Sequence, residues 1–197
     1  ATQLLKAESQ SPNYYALQAL QVVLEHVDFK TRLFTKPIES LFIFLTKAKI
    51  PCQIQFVTTP SHTPTLRELY WLHFTLYLPL QVPAQRMTDF SEVLLLLNRL
   101  LPIGSFQLNS ANRIYFSYSL VLINSYVESS MVIEILELIE AFIYKLEPHF
   151  KYFIMSNEKL TFIIEKLEND LKLNKVNQIF PQSSSQLEQF YENGIRC

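Results

Sequence analysis

Glycine is almost absent from this chain, since Gly104 and Gly194 are the two glycines among 197 residues. Loops that bind phosphate groups need several closely spaced glycines, because the backbone must approach the phosphate without a side chain in between. The sequence therefore excludes a P-loop and a glycine-rich dinucleotide-binding turn. With so little glycine, we expect the turns to be made by proline, asparagine and serine.

Cysteine and histidine are also few and widely spaced. Cys52 and Cys197 have no partner in a Cys-x-x-Cys pair, and the 4 histidines show no spacing typical of a zinc-binding helix. These absences argue against a zinc site, a redox pair and a catalytic motif. We therefore predict no metal, no cofactor and no enzymatic activity. Two reduced cysteines fit a cytoplasmic protein.

Neither strong charge nor a long apolar run is present. The net charge is -1, and lysine and arginine form no basic run, so the sequence does not indicate nucleic-acid binding. No apolar run approaches the roughly 20 residues that span a bilayer, and no membrane span is expected. The N-terminal residues lack the basic and apolar regions of a signal peptide, and the chain does not begin with Met, which suggests that a leader or tag has been removed.

Apolar residues make up 49% of the chain. Their spacing predicts helices over residues 12–27, 37–50, 90–101, 130–147 and 158–173. Ser11 and Asp89 are suited to cap the first and third of these helices, and Pro148 is predicted to break the fourth. We predict a solvated face of the fourth helix for Glu134, Glu137 and Glu140. Residues 59–65 are predicted to form a loop, and a polar tail follows residue 174.

Alternation of side chains predicts strands at residues 53–58, 69–82, 106–108 and 113–123. In the two longest, one set of side chains is apolar or aromatic and the other is mixed, as in an antiparallel sheet covered by helices on one face. The mixed set is the candidate partner-binding surface, because grouped exposed aromatics usually mark a binding site. Its residues are Trp71, His73, Tyr77, Tyr115 and Val121. The alternative is that a terminal helix covers this face and makes it core.

Three short segments resemble the YbjN family, which shares its architecture with class I type III secretion chaperones. They are residues 97–99, 102–108 and 113–116, which look like that family's helix-end Asn, its Gly-x-Phe turn into a strand, and the extended run that follows. The resemblance implies an α+β fold with a helix-strand-strand-helix-strand-strand-helix core over residues 38–155. A helical extension over residues 1–37 and a helix with a polar tail over residues 156–197 are additions to that core.

The resemblance also implies a noncatalytic protein that binds other proteins, often as a dimer, and it supplies no catalytic residues. We therefore expect an interaction domain, chaperone-like or regulatory, that binds a protein segment and forms a homodimer. An extended partner could add to a sheet edge or lie across the mixed face. The alternative is a sensory or regulatory domain that binds a small apolar ligand between sheet and helices.

Overall fold

The computed structural model of the protein describes residues 11–59, 69–122 and 127–156, together with residues 158, 161–162, 165–166 and 169. The chain divides into two compact units, with the boundary between Met155 and Ser156. In the first unit the helices are α1 (Pro12–His26), α2 (Met87–Asn98) and α3 (Ser129–Met155). The strands are β1 (Lys30–Phe34), β2 (Ser40–Leu45), β3 (Ile50–Thr59), β4 (Leu69–Gln81), β5 (Ser105–Leu108) and β6 (Arg113–Leu122).

In the second unit, residues 161–162, 165–166 and 169 are helical, in agreement with the helix predicted over residues 158–173. Glu158, at which that helix is predicted to start, is described and is not helical, and the other positions of the prediction lie outside the described residues. Of the loop predicted over residues 59–65, Thr59 is instead the last residue of β3. Residues 60–65 and the polar tail after residue 174 lie outside the described residues.

The six strands form one sheet in the order β1-β2-β3-β4-β6-β5, and every neighbouring pair is antiparallel. Alternate side chains point to opposite faces. One face, called the inner face below, is the buried one. Its fully buried residues include Leu41, Ile43, Ile54, Leu72, Phe74, Leu76, Ile114 and Phe116. Phe106 on this face contacts Phe150 of α3, and Thr31 bonds to Glu25 of α1, so the helices pack on this side and the fold is α+β as predicted.

The helix predicted over residues 37–50 is wrong, because this segment forms β2, parts of the turns beside it and the first residue of β3. Ile38, Leu41, Phe42 and Leu45 have helical spacing, but the buried side chains of β2 alternate along a strand. β2 pairs with β1 on one side and with β3 on the other, which bonds its backbone along both edges. The order of elements is therefore α1, four strands, α2, two strands and α3.

This correction also affects the predicted core, which was expected to start with a helix at residue 38. The sheet starts earlier, at Lys30, inside the segment predicted as a helical extension. The three-part division of the chain at residues 37/38 and 155/156 stays a prediction.

Ser11 caps α1 as predicted, since its hydroxyl oxygen accepts a hydrogen bond from the Tyr14 amide at 3.2 Å. The same hydroxyl donates to the carboxylate of Glu39, just before β2. Val23 and Val27, which the apolar spacing places on the buried side, are exposed. The buried residues of α1 are Leu17, Leu20 and Leu24.

Both ends of α2 lie three residues earlier than predicted, at Met87 and Asn98 rather than at residues 90 and 101. α2 begins at Met87 after a 3-10 turn, so Asp89 is not its cap but lies in the first turn, where the helix dipole favours an acidic side chain. At the other end, the Asn98 amide donates to the Phe106 carbonyl at 2.9 Å and accepts from the Phe106 amide at 2.7 Å. β5 is an edge strand, so Asn98 pairs backbone groups that no neighbouring strand reaches.

Gly104 brings the chain from α2 into β5. Its φ is +65°, and a Cβ at this position would lie 2.2 Å from Cζ of Phe116 and 2.7 Å from the carbonyl oxygen of Ser117. This backbone conformation and this close approach both require glycine. In the segments that carry the family resemblance, Asn98 and Gly104 thus have a shared structural role in placing β5.

Pro148 does not break α3, which continues to Met155, so this prediction is wrong. Phe150 and Phe153 follow the proline and are buried against Phe90 of α2. The centroid of the Phe90 ring lies 5.5 Å from that of Phe150 and 5.2 Å from that of Phe153. Burial of two such side chains contributes about 3–6 kcal/mol, against the roughly 3 kcal/mol that a proline costs inside a helix. Packing of the last two turns therefore offsets the proline.

Glu140 departs from the predicted solvated face of α3. Glu134 and Glu137 are exposed, whereas Glu140 is buried. Its carboxylate accepts hydrogen bonds from the amides of Lys47, at 2.6 Å, and Ala48, at 3.4 Å, in the turn between β2 and β3. Glu140 therefore fixes that turn against α3. Helical spacing alone could not reveal this, because the partner amide of Lys47 is 93 residues away in sequence.

Candidate partner-binding face

The five predicted site residues lie on the sheet face opposite the inner face, called the outer face below. Trp71, His73 and Tyr77 are on β4, and Tyr115 and Val121 are on β6. The register places Trp71 opposite Val121 and Tyr77 opposite Tyr115. Directly opposed residues of neighbouring strands share a face, so each pair is in side-chain contact range. The structure brings these residues together as two pairs with His73 between them, and their role in binding stays a prediction.

The pair of Trp71 and Val121 extends onto β3. Val57 is opposite Trp71 in the β3–β4 register, so Val57, Trp71 and Val121 form an apolar row across three strands. This set is called the tryptophan row below. Val57 and Val121 are exposed, while Trp71 is half-buried.

The pair of Tyr77 and Tyr115 extends further, across four strands. The two tyrosine ring centroids are 5.6 Å apart. Phe44 is opposite Pro51 in the β2–β3 register, and the β3–β4 register, continued by one residue, places Pro51 beside Tyr77. Phe44, Pro51, Tyr77 and Tyr115 are called the tyrosine row below. Phe44, Pro51 and Tyr77 are exposed.

Phe44 and Pro51 were missed by sequence reasoning because the segment before Pro51 was interpreted as a helix. A signal for the correct interpretation does exist in β2, whose aromatic residues Phe42 and Phe44 alternate with Leu41, Ile43 and Leu45. Aromatic and β-branched residues at alternate positions favour a strand over a helix.

Two polar rows separate the apolar rows. One consists of Gln55, His73 and Ser119, and the other of Gln53, Thr75, Ser117 and Ser105. Tyr77 follows Trp71 by six positions on β4, so the tryptophan row and the tyrosine row are about 20 Å apart along the strand. Over β3, β4, β5 and β6 the outer face is therefore not one continuous apolar patch, as the grouped aromatics of the sequence suggested, but two apolar rows with a polar centre. On β2, Phe42 lies opposite Gln53 and contacts Phe34, so the apolar surface beside Phe44 continues toward β1.

His73 and Ser119 form a hydrogen bond across the polar centre, with Nδ1 and Oγ 2.7 Å apart. Burial lowers the pKa of His73, which favours the neutral imidazole near neutral pH. In a serine-dependent active site, an acid orients the histidine. The described strands contain neither aspartate nor glutamate, so in these strands the pair has no such acid and its evident effect is to link β4 to β6.

Tyr115 is held in place by its neighbours on β5 and β6. Its hydroxyl donates to Oε1 of Gln107 at 2.6 Å. The Nε2 of Gln107 donates in turn to Ser105 at 2.9 Å and to Ser117 at 3.1 Å. One end of the tyrosine row is therefore fixed by side chains before any partner arrives, which reduces the entropy lost on binding.

The thiol of Cys52 has no access to the surface. Cys52 is fully buried on the inner face, and burial raises the pKa of its thiol far above the ordinary range, which disfavours the reactive thiolate. Among the residues that the structure describes, no three His, Cys, Asp or Glu side chains are grouped so that they could hold a metal ion. Across the same residues, no helix combines the length and apolar character needed to cross a membrane.

No protein-family model matches the chain, and no curated protein matches it at a significant level. A comparison with solved structures matches the crystal structure of YbjN from E. coli, described as a candidate transcription regulator, with a TM-score of 0.44 and 10% sequence identity. The match covers 68% of this chain and 92% of that chain. At these values it indicates a coarse likeness of fold and carries nothing about activity or partners.

Proposed function

We propose that the protein is a noncatalytic interaction domain, chaperone-like or regulatory, that binds a partner protein through the outer face. The observation that carries the proposal is the arrangement of the tryptophan row and the tyrosine row on the face that α1, α2 and α3 do not cover. Exposed aromatic and aliphatic side chains in contact with one another are enriched at the centre of protein interfaces.

Exposure alone does not distinguish the outer face, because the helices also expose apolar residues. Leu95 of α2 and Tyr144 of α3 are more exposed than Tyr77. The difference is in their neighbours, since strand register joins Tyr77 to Tyr115 and to the rest of its row. Single exposed apolar residues are ordinary on protein surfaces, whereas contiguous ones need an explanation.

The size of the outer face favours a segment of a partner rather than a whole domain. Six strands about 4.8 Å apart give a width of about 24 Å, and the two apolar rows are about 20 Å apart. The resulting area of about 500 Å² is below the roughly 800 Å² per partner of a standard interface. An extended or helical segment of a partner fits this area.

A photo-crosslinking experiment tests the proposal. A benzophenone amino acid replaces Tyr77 on the outer face in one variant and Tyr144 on α3 in the other, so that both carry the same probe at exposed tyrosine positions. The full chain is irradiated in native lysate, and the products are identified by mass spectrometry. We expect a specific protein product from position 77 that is absent from position 144.

The cross-link must also depend on the rest of the row. Phe44→Ser should reduce the product from position 77, while Leu95→Ser on α2 should leave it unchanged, with both variants first shown to be folded by circular dichroism. Equal labelling from positions 77 and 144, no product from either, or a product confined to the protein's own chain would each contradict the proposal.

Self-association is a separate part of the proposal, since it rests on the family resemblance alone. Sedimentation velocity of the full chain over a range of concentrations measures it directly. A single species with the mass of the 23.1 kDa monomer throughout would remove the homodimer from the proposal and leave partner binding in place.

A further inference from the structure

The strands of the sheet contain no acidic residue. No Asp or Glu occurs in β1 to β6, which carry Lys30, Arg32 and Arg113 as their charged residues. The acidic residues that the structure describes in the first unit are all in helices or loops, namely Glu25, Asp28, Glu39, Asp89, Glu92, Glu128, Glu134, Glu137, Glu140 and Glu147. In a chain of net charge -1, the charged residues of the described strands are therefore all cationic, while the described acids of the first unit lie in helices and loops.

The three cations occupy the two sides of the tyrosine row. Lys30 is opposite Phe44, at the end of the row that lies on β1. Arg113 precedes Tyr115 by two residues on β6 and therefore shares its face. In the part of the chain that the structure describes, neither of them forms an ion pair. Both are exposed, so their charge is available to a partner.

Arg32 adds to the cationic end on β1 in a fixed position. Its guanidinium carbon lies 4.9 Å from the centroid of the Phe34 ring, and Phe34 contacts Phe42 with ring centroids 5.1 Å apart. A cation held over an aromatic ring loses less conformational freedom when it pairs with a carboxylate than a mobile one does.

We propose that the outer face binds an extended, acidic segment of a partner protein that runs along the tyrosine row, with apolar side chains over Phe44, Pro51, Tyr77 and Tyr115 and carboxylates at both ends. The inference rests on the proposed function, because it names the partner chemistry for the same face. From β1 to β6 there are four strand spacings, or about 19 Å, which about six extended residues span. The carboxylates of the partner should therefore be separated by about four to six residues.

Charge and shape favour this occupant over others. A second copy of this chain docked face to face would bring its own lysine and arginines against these cations, which is repulsive. Nucleic acid needs a track of cations that follows its phosphates, whereas Lys30 and Arg113 are separated by a row of apolar side chains. An anionic membrane would need a continuous apolar or basic surface, and the polar centre interrupts the outer face.

The test measures binding of short peptides to the full chain by fluorescence anisotropy. The probe peptide has about eight residues, with acidic residues at both ends and apolar residues between them. One control peptide replaces every Asp and Glu by Asn and Gln, and a second has the same composition with all acids at one end. We expect the probe to bind at least tenfold more tightly than either control, with an affinity that falls as salt is raised.

Variants of the protein locate the site. Arg113→Gln and Arg32→Gln should each weaken binding of the probe by about fivefold, while Arg113→Lys should largely restore it. Lys145→Gln on α3 removes an exposed cation from the other side of the molecule and should have no effect. Folding of each variant is checked by its urea midpoint.

Several results would overturn the inference: equal binding of the neutral peptide, equal weakening by Lys145→Gln, or tighter binding of oligouridine or of anionic phospholipid vesicles. Failure of the inference is distinguishable from failure of the proposed function. If the probe does not bind but position 77 still cross-links to a protein, the interaction domain stands and the acidic partner is wrong. If position 77 gives no product and the probe does not bind, both are wrong.

Discussion

The two faces of the sheet are built from the same strands but differ in chemistry. The inner face is largely apolar where it meets the helices, and its aromatic residues Phe106 and Phe116 join Phe90, Phe150 and Phe153 in a continuous buried cluster. The outer face alternates apolar and polar rows and carries cations without acids. Stability and recognition should therefore be separable, because neighbouring residues of one strand serve different faces.

The largest expected difference between the faces comes from aromatic truncations. Phe116→Ala removes a fully buried ring that contacts Phe106 and should reduce the free energy of unfolding by about 3–5 kcal/mol. Tyr77→Ala removes a ring that is 51% exposed and should cost about 1 kcal/mol or less. Urea denaturation of both variants measures the contrast. A loss of several kcal/mol from Tyr77→Ala would show that the outer face is core.

Gly104→Ala should have the next largest effect, since the new Cβ would press against Phe116 from the turn before β5. Left-handed backbone strain and overpacking together should lower the free energy of unfolding by about 2–4 kcal/mol. Ser105→Ala, at the next position and on the outer face, serves as the control and should lie within about 1 kcal/mol of the wild type. Equal stability of the two variants would mean that the chain relaxes at the turn.

Glu140→Ala should reduce stability by about 1.5–3 kcal/mol, because it leaves the amides of Lys47 and Ala48 without their charged acceptor. The matched control is Glu137→Ala on the same helix, whose exposed carboxylate should contribute less than about 0.5 kcal/mol. Hydrogen exchange of the Lys47 amide gives a second measurement. If its protection were unchanged in Glu140→Ala, the carboxylate would not be what holds the turn.

The sequence predicted those elements whose pattern is decided locally. Alternation along β4 and β6 assigned both faces, and Ser11 marked the start of α1, because each depends on neighbouring residues. The failures involve distant partners: β2 was interpreted as a helix because its spacing fits both, and only pairing with β1 and β3 decides between them. The sequence around Pro148 predicts the end of α3, because the free-energy cost of a proline in a helix depends on neighbouring residues only. The packing of Phe150 and Phe153 that offsets this cost involves α2, which is distant in sequence.

The candidate site divides in the same way. The five residues on β4 and β6 are assigned to one face because they occupy alternate positions of each strand. Alternation does not show which residues of neighbouring strands lie opposite each other. The strand register places Trp71 and Val121 in one row and Tyr77 and Tyr115 in another. It also adds Phe44 on β2 and Pro51 on β3 to the second row. The polar centre and the absence of acids across six strands become visible only when the strands are placed side by side.

The smallest predicted effect concerns His73, which lies in the polar centre. Burial lowers the pKa of His73 in the folded protein, so the unfolded chain takes up its proton at a higher pH than the folded chain does. The contribution of this group to stability is therefore fully present above the unfolded pKa of about 6.5 and is lost as the pH falls through the folded value. His73→Gln should make the unfolding free energy less dependent on pH between neutral pH and about pH 5, as measured by urea denaturation at each pH.

Ser119→Ala removes the hydrogen-bond partner but keeps the histidine half-buried, so it should retain the pH dependence. If Ser119→Ala abolished the pH dependence instead, the hydrogen bond rather than burial would set the pKa of His73. The polar centre of the outer face would then be more exposed to solvent than its half-buried residues imply.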